Sequence, residues 1–217
     1  ASAPPIGVHP ENLAAEIEAA FLNTHAAKWQ YAAHGVGLGF AQGKTLMMAK
    51  SRLPLGDLSV LGQEPAEDAA LTQIARAAGR DVALVAGAEG QHLGLRTFPE
   101  VWRRQLRWAK LRRATFPVLY ALEIASGSAM AFAAAALAGA LLDIVWLLPA
   151  FAAGWWGAEY ALARLLRWPA FLPALALRDC ALPALWVAGW SGGAVSWRGA
   201  AIPLGDAPAV ETAPETA

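Results

Sequence analysis

Two short runs in this chain carry side chains suited to chemistry. The first is Arg104-Gln105-Leu106-Arg107-Trp108. On a helix, Arg104, Arg107 and Trp108 fall at i, i+3 and i+4, which puts two guanidinium groups and an indole on one face. Two planar, permanently charged forks suit the oxygens of a diphosphate. A flat ring suits a sugar or a lipid head group. The second run is Glu67-Asp68, at the start of another helical pattern. Carboxylates there complement the helix dipole. The first run also has a plainer reading. Arg103, Arg104, Arg107, Lys110, Arg112 and Arg113 follow one another without an acid, just before a long apolar stretch that begins near Phe116. That is the basic, cytoplasmic flank of a membrane span. The two readings are compatible.

The elements around these runs must hold them in place. Thr97-x-x-Glu100 fits a capping box and Pro99 is allowed in a first turn, so a helix is expected over residues 97–113. The Asp68 helix should open at Pro65 and close near Gly79, with Leu71, Ile74, Ala75 and Ala78 as its apolar face. Between the two, residues 81–85 read as a strand and residues 86–96 as a loop holding His92, which is a loop histidine or a weaker ligand candidate. Upstream, residues 11–33 read as an amphipathic helix on Leu13, Ile17, Phe21 and Thr24. Residues 35–48 read as a glycine-rich loop running into a strand at about 40–48. Gly43-Lys44-Thr45 resembles the end of a phosphate loop, but the glycine that motif needs at position 38 is a leucine. Gly35, Gly37 and Gly39 lack the third glycine of a dinucleotide loop, since position 40 is Phe. Residues 54–63 read as turns, and residues 1–10 as a Pro-rich linker.

Composition separates the two halves. The chain has 217 residues, 57% hydrophobic and only 16% charged, with zero formal net charge. Soluble domains carry roughly 25% charged residues, so part of this chain is expected out of water. Zero net charge argues against a nucleic-acid partner. One cysteine, Cys180, offers neither a disulfide framework nor a metal cluster. Residues 124–142 are long and apolar enough for a span of ~20 residues, with Glu123 at their start. Residues 144–163, rich in tryptophan and carrying Glu159, read as the second span, after a tight hairpin at Asp143 and Pro149. Residues 169–190 form a third span or an interfacial hairpin, because Arg178-Asp179 is costly in lipid unless paired. The tail after Gly205 reads as disordered.

The ordered set of landmarks resembles a known family. Glu67-Asp68 opens a helix, Arg104-x-x-Arg107-Trp108 follows directly before the spans, and Arg178-Asp179, Pro183, Trp186 and Trp197-Arg198-Gly199 close the chain. This is similar to the C-terminal part of ceramide glucosyltransferase-type enzymes, glycosyltransferase family 21. Residues 20–24, 40–45 and 112–117 most resemble the bacterial hopanoid-associated members. The resemblance implies a partial GT-A-like α/β domain over 11–115, a transmembrane and interfacial region over 116–200, and a tail over 201–217. It implies an inverting transfer of sugar from a UDP-sugar to a lipid hydroxyl, hopanoid or ceramide-like, at the bacterial inner membrane with the catalytic part cytoplasmic. In that family's terms Asp68 is the general base. Arg104 and Arg107 hold the departing UDP, Trp108 packs on the acceptor, and Gly43 lies in an acceptor-side segment. Glu67, Gln105 and His92 are weaker candidates.

One departure matters. The family's Asp-x-Asp motif, which holds a divalent metal (Mg2+ or Mn2+) against the UDP phosphates, does not occur in this sequence. The metal's ligands are therefore expected outside this chain, which reads as a fragment inactive on its own. Two alternatives stand beside this reading. A processive polysaccharide synthase shares the base and the Arg-x-x-Arg-Trp element but needs more spans. A non-catalytic scaffold or transporter subunit would use the basic helix only as a flank and Glu67-Asp68 only as a cap.

Overall fold

A computed structural model describes residues 1–49, 66–197 and 200–204. The turns expected at 54–63, the opening of a helix at Pro65, the Arg198-Gly199 pair and the polar tail from 205 lie outside the described residues.

The centre of the fold is a long helical rod. It consists of α1 (Leu13–Ala20), a π-helical segment (Phe21–Ala26) and α2 (Ala27–Gly35). Asn12 caps it by accepting from the Ala15 amide, one of the otherwise orphaned donors of a first turn. The rod packs against β1 (Pro5–Pro10), which pairs in parallel with β2 (Glu89–Gly94) in the register Ile6 to Gly90 and Val8 to His92. Strand and helix meet backbone-close at Gly7. A Cβ there would lie 2.7 Å from Leu93 Cδ1 and 3.0 Å from Ala19 Cα, so the site has no room for a side chain. In the π-helical segment the Asn23 side chain behaves as a strand neighbour. Its Oδ1 accepts from Gly7 N at 2.7 Å, and its Nδ2 donates to the carbonyls of Gly7 (3.1 Å) and Pro169 (2.9 Å). One buried amide thereby ties the sheet to the loop between two of the apolar helices.

Several local expectations are corrected here. Residues 5–10 form a buried strand rather than a linker. Neither 40–48 nor 81–85 is a strand; both run irregularly, joined to the chain start by single bridges from Ser2 to Leu46 and to Leu84. His92 lies on β2, not on a loop. The apolar runs suggested strands, but the hydrogen bonds went elsewhere: β1 reaches across about eighty residues to β2, a pairing that local pattern does not encode.

The second half is helical. The capping box at Thr97 starts α4 (Phe98–Thr115). Phe116 leaves the helical region because the following Pro117 disfavours it there. α5 (Pro117–Ser126) and α6 (Ser128–Leu141) follow, separated at Gly127, whose extended backbone breaks the span expected over 124–142 into two helices. Asp143 turns the chain with φ of 55°. Then come α7 (Leu147–Leu165), α8 (Leu172–Gly189) and an antiparallel hairpin of β3 (Ala194–Trp197) and β4 (Ala200–Pro203). Pro149 sits inside the first turn of α7 rather than in the hairpin. Among the described residues, two helical stretches are long and apolar enough to cross a bilayer: Pro117–Leu141, with mean hydropathy 1.7, and Leu172–Gly189, with 1.2. The expected second span, now α7, is not among them. Its glycines, aromatic residues and proline, with Glu159 and Arg164, dilute its hydropathy.

The cost of Arg178-Asp179 in α8 is met by pairing. Arg178 is almost wholly buried. It donates to Asp179 (2.7 Å), to Glu159 on α7 (2.5 Å) and to Thr24 in the rod. Lys28 joins Glu159 at 2.7 Å, and the Trp156 indole donates to Asp179 at 3.0 Å. Two cations face two carboxylates, so the cluster closes on itself.

Candidate functional site

The candidate residues lie on α3 (Glu67–Ala77), on α4 and on the loop of residues 38–44. The α3 residues Asp68, Thr72 and Arg76 are four apart, so they form one polar stripe along the helix. That stripe grips the backbone of residues 38–43. Gly43 N donates to Asp68 Oδ2 at 2.8 Å, Ala41 N donates to Thr72 Oγ1 at 2.9 Å, and the Arg76 guanidinium donates to the carbonyls of Leu38 (2.9 Å) and Gly39 (3.2 Å). The loop is thus held as a rigid strap across the start of α3. Gly39 is needed for it, because a Cβ there would lie 2.2 Å from the Val82 carbonyl oxygen.

Asp68 is half-buried, and burial pushes its carboxyl above the usual aspartate range, an effect partly offset by the Gly43 and Ala69 amides that donate to it. An ionised carboxylate offers about four lone-pair positions. The two amides leave room for a hydroxyl donor. Glu67 is exposed, and its charge adds to the upward push on Asp68.

α4 carries the basic run. Arg104 is paired to Glu18 of α1, whose side chain is fully buried and also accepts from Arg96 Nε at 3.2 Å. The signal for Glu18 was present in the sequence: it lies three residues after Ala15 and four before Leu22, on the buried stripe of α1. Trp108, one turn beyond Arg104, packs against Ala15, Ala19, Leu22 and Leu93. It is therefore partly a core residue rather than a free platform. Arg107 is half-buried, and both burial and the neighbouring Arg104 charge push its pKa down. Gln105 turns the other way. With His25, Tyr120, Arg112 and Glu123 it lines a separate cavity of about 30 Å³, large enough for a water or two. Among the described residues its Nε2 has no hydrogen-bond partner. His92 stacks on His9 over β2, ring centres 5.2 Å apart, and touches neither run.

Consecutive residues link α3 to β2. Gly43 binds Asp68, and the next side chain, Lys44, donates to Gln91 on β2. Lys44 lies in the field of Arg104, Glu18, Arg96 and Arg107; burial first and then the arginines lower its pKa. The strap thus touches Asp68 through Gly43, and its next residue, Lys44, lies in the field of Arg104 and Arg107. The basic run also divides its labour. Arg112 is bidentate to Glu123, and Arg113 donates to the carbonyls of Trp190 and Gly192 at the end of α8. These two residues clamp helices together. Among the described residues no three His, Cys, Asp or Glu side chains converge where a metal could sit.

Residues 1–210 match the model of a family described as Glycosyl transferase family 21. No curated protein and no solved structure matches the chain.

Proposed function

This chain belongs to glycosyl transferase family 21, and we propose that it carries the catalytic base and the leaving-group cations of a membrane-bound, inverting enzyme that moves a sugar from a UDP-sugar to a lipid hydroxyl. The observation that supports this is the single strap, residues 38–44, whose Gly43 binds Asp68 and whose Lys44 lies in the field of Arg104 and Arg107. A general base and leaving-group cations must flank one sugar, and a loop that adjoins both supports that reading.

In the proposed reaction the acceptor hydroxyl donates a hydrogen bond to Asp68. The proton passes to the carboxylate as the hydroxyl oxygen forms a bond to the anomeric carbon. The bond from that carbon to the phosphate oxygen breaks on the opposite face, so the configuration inverts. Negative charge grows on the departing diphosphate, where Arg104 and Arg107 act as preplaced donors. A divalent metal would share that charge in the complete enzyme. Among the described residues no three His, Cys, Asp or Glu side chains converge to hold one. Pro117–Leu141 and Leu172–Gly189 would place the cleft at the cytoplasmic face of a bacterial inner membrane, where a hopanoid or ceramide-like acceptor can present its hydroxyl.

The test is transfer itself. Membranes containing the complete enzyme are given radiolabelled UDP-sugars and hydroxylated lipids, and label is expected in the organic phase. Label from a different sugar carrier, with none from any UDP-sugar, refutes the donor assignment. No labelled lipid from any donor refutes the reading as a whole.

A further inference from the structure

Gly43-Lys44-Thr45 fails as a phosphate loop on spacing, yet the fold gives its lysine a place where a phosphate belongs. We propose that Lys44 binds a phosphate group of the sugar donor and thereby sets the leaving group in register with Asp68 through the adjoining Gly43. This rests on the reading of the chain as a nucleotide-sugar-dependent transferase.

Three observations carry it. Lys44 is exposed, so a ligand can reach it. Its hydrogen-bond partner is the neutral Gln91 amide, and among the described residues no carboxylate lies within ion-pair distance of it. The nearby carboxylate, Glu18, is already shared by Arg96 and Arg104. Among the described residues three cations therefore gather at one acid. Burial of part of the Lys44 side chain lowers its pKa first, and repulsion from the like charges around it lowers it further. A polyanionic ligand relieves both effects, and a lysine ammonium is a common phosphate partner. Finally, Gly43 N donates to Asp68 at 2.8 Å, so movement of Lys44 toward a phosphate is transmitted by one peptide unit to the base.

The experiment compares wild type, Lys44→Met and Lys44→Arg in the complete enzyme. Binding of UDP and of uridine is measured by calorimetry, and the donor and acceptor KM by transfer. Loss of one charge-assisted hydrogen bond should weaken UDP about 10- to 100-fold in Lys44→Met. Uridine binding, the acceptor KM and the unfolding temperature should stay unchanged, and Lys44→Arg should recover most of the UDP affinity. Unchanged UDP affinity in Lys44→Met overturns the proposal. If wild type does not bind UDP, the donor reading fails, and binding of inorganic pyrophosphate to the same variants decides for or against Lys44 on its own.

Discussion

Among the described residues the molecule buries charge in two places, and the contrast between them is instructive. Around Arg178, two cations and two carboxylates from the rod, α7 and α8 neutralise one another, and the Trp156 and Thr24 side chains fill remaining hydrogen-bond positions. Around Glu18, one fully buried carboxylate serves Arg96 and Arg104, whose side chains stay 24% and 27% exposed, with Lys44 in the same field. Among the described residues that cluster is unbalanced in sign, and its arginines are open to water. A buried ion pair is weak evidence of function on its own. Charge imbalance together with access is what separates a binding place from a clamp.

Breaking each cluster should show the difference. Arg178→Met leaves Glu159 and Asp179 with Lys28 alone. Removing one partner of a buried pair typically costs ~3–5 kcal/mol, so a large loss of folded protein is expected in thermal unfolding of the detergent-solubilised enzyme. A small change would mean that the cluster is wetter than its burial implies. Glu18→Gln should cost less, roughly 1–3 kcal/mol, because both arginines can turn toward water. Its main effect should be a raised donor KM, as Arg104 loses its anchor. If Glu18→Gln proves the more destabilising of the two, the contrast between closed and open clusters is wrong. Smaller effects are expected in the strap. Gly39→Ala drives a methyl into the Val82 carbonyl and should cost ~1–3 kcal/mol. At Gly43 a Cβ would meet Asp68 at 3.5 Å, an ordinary contact, so Gly43→Ala should change turnover by no more than about threefold, near 0.6 kcal/mol. Equal damage at the two positions would mean that the strap is not held as described.

Much of the site could be read from spacing because its determinants are local. The Thr97 capping box, the Arg104-x-x-Arg107-Trp108 face and the start of the Asp68 helix each span fewer than two turns, and the structure shows each of these elements. What spacing could not convey was partnership. Arg104 looked free for a ligand, but its partner Glu18 lies 86 residues away. Trp108 looked like a platform, but Leu93 on β2 claims part of it. Residues 5–10 looked like a linker because prolines and a glycine hide a strand whose partner is remote. Arg178 looked like an obstacle to burial until Glu159, nineteen residues before it, was brought alongside. The polar stripe Asp68, Thr72, Arg76 is the exception: its fourfold spacing was on the page, yet the backbone it grips was not.

The most direct test of the central claim, that Asp68 works as a base beside a cation cluster, is Asp68→Asn in the complete enzyme. Asparagine can still accept from Gly43 N, so the strap should hold while the proton acceptor is lost. Transfer is expected to fall about 10²- to 10⁴-fold with UDP binding intact. The sign of the Asp68 shift adds two further expectations. Burial raises its pKa in the folded state, so the ionised form costs stability; this penalty grows as pH rises from the unfolded pKa through the folded one and is fully present above it. Asp68→Asn should therefore be no less stable than wild type at neutral pH. The base must be ionised, so wild-type kcat/KM should fall on the acid side at a pH above the ordinary aspartate value, and the variant's residual rate should lack that limb. Wild-type turnover in Asp68→Asn, with the acid limb unchanged, would contradict the claim and leave Asp68 as a clamp for the strap.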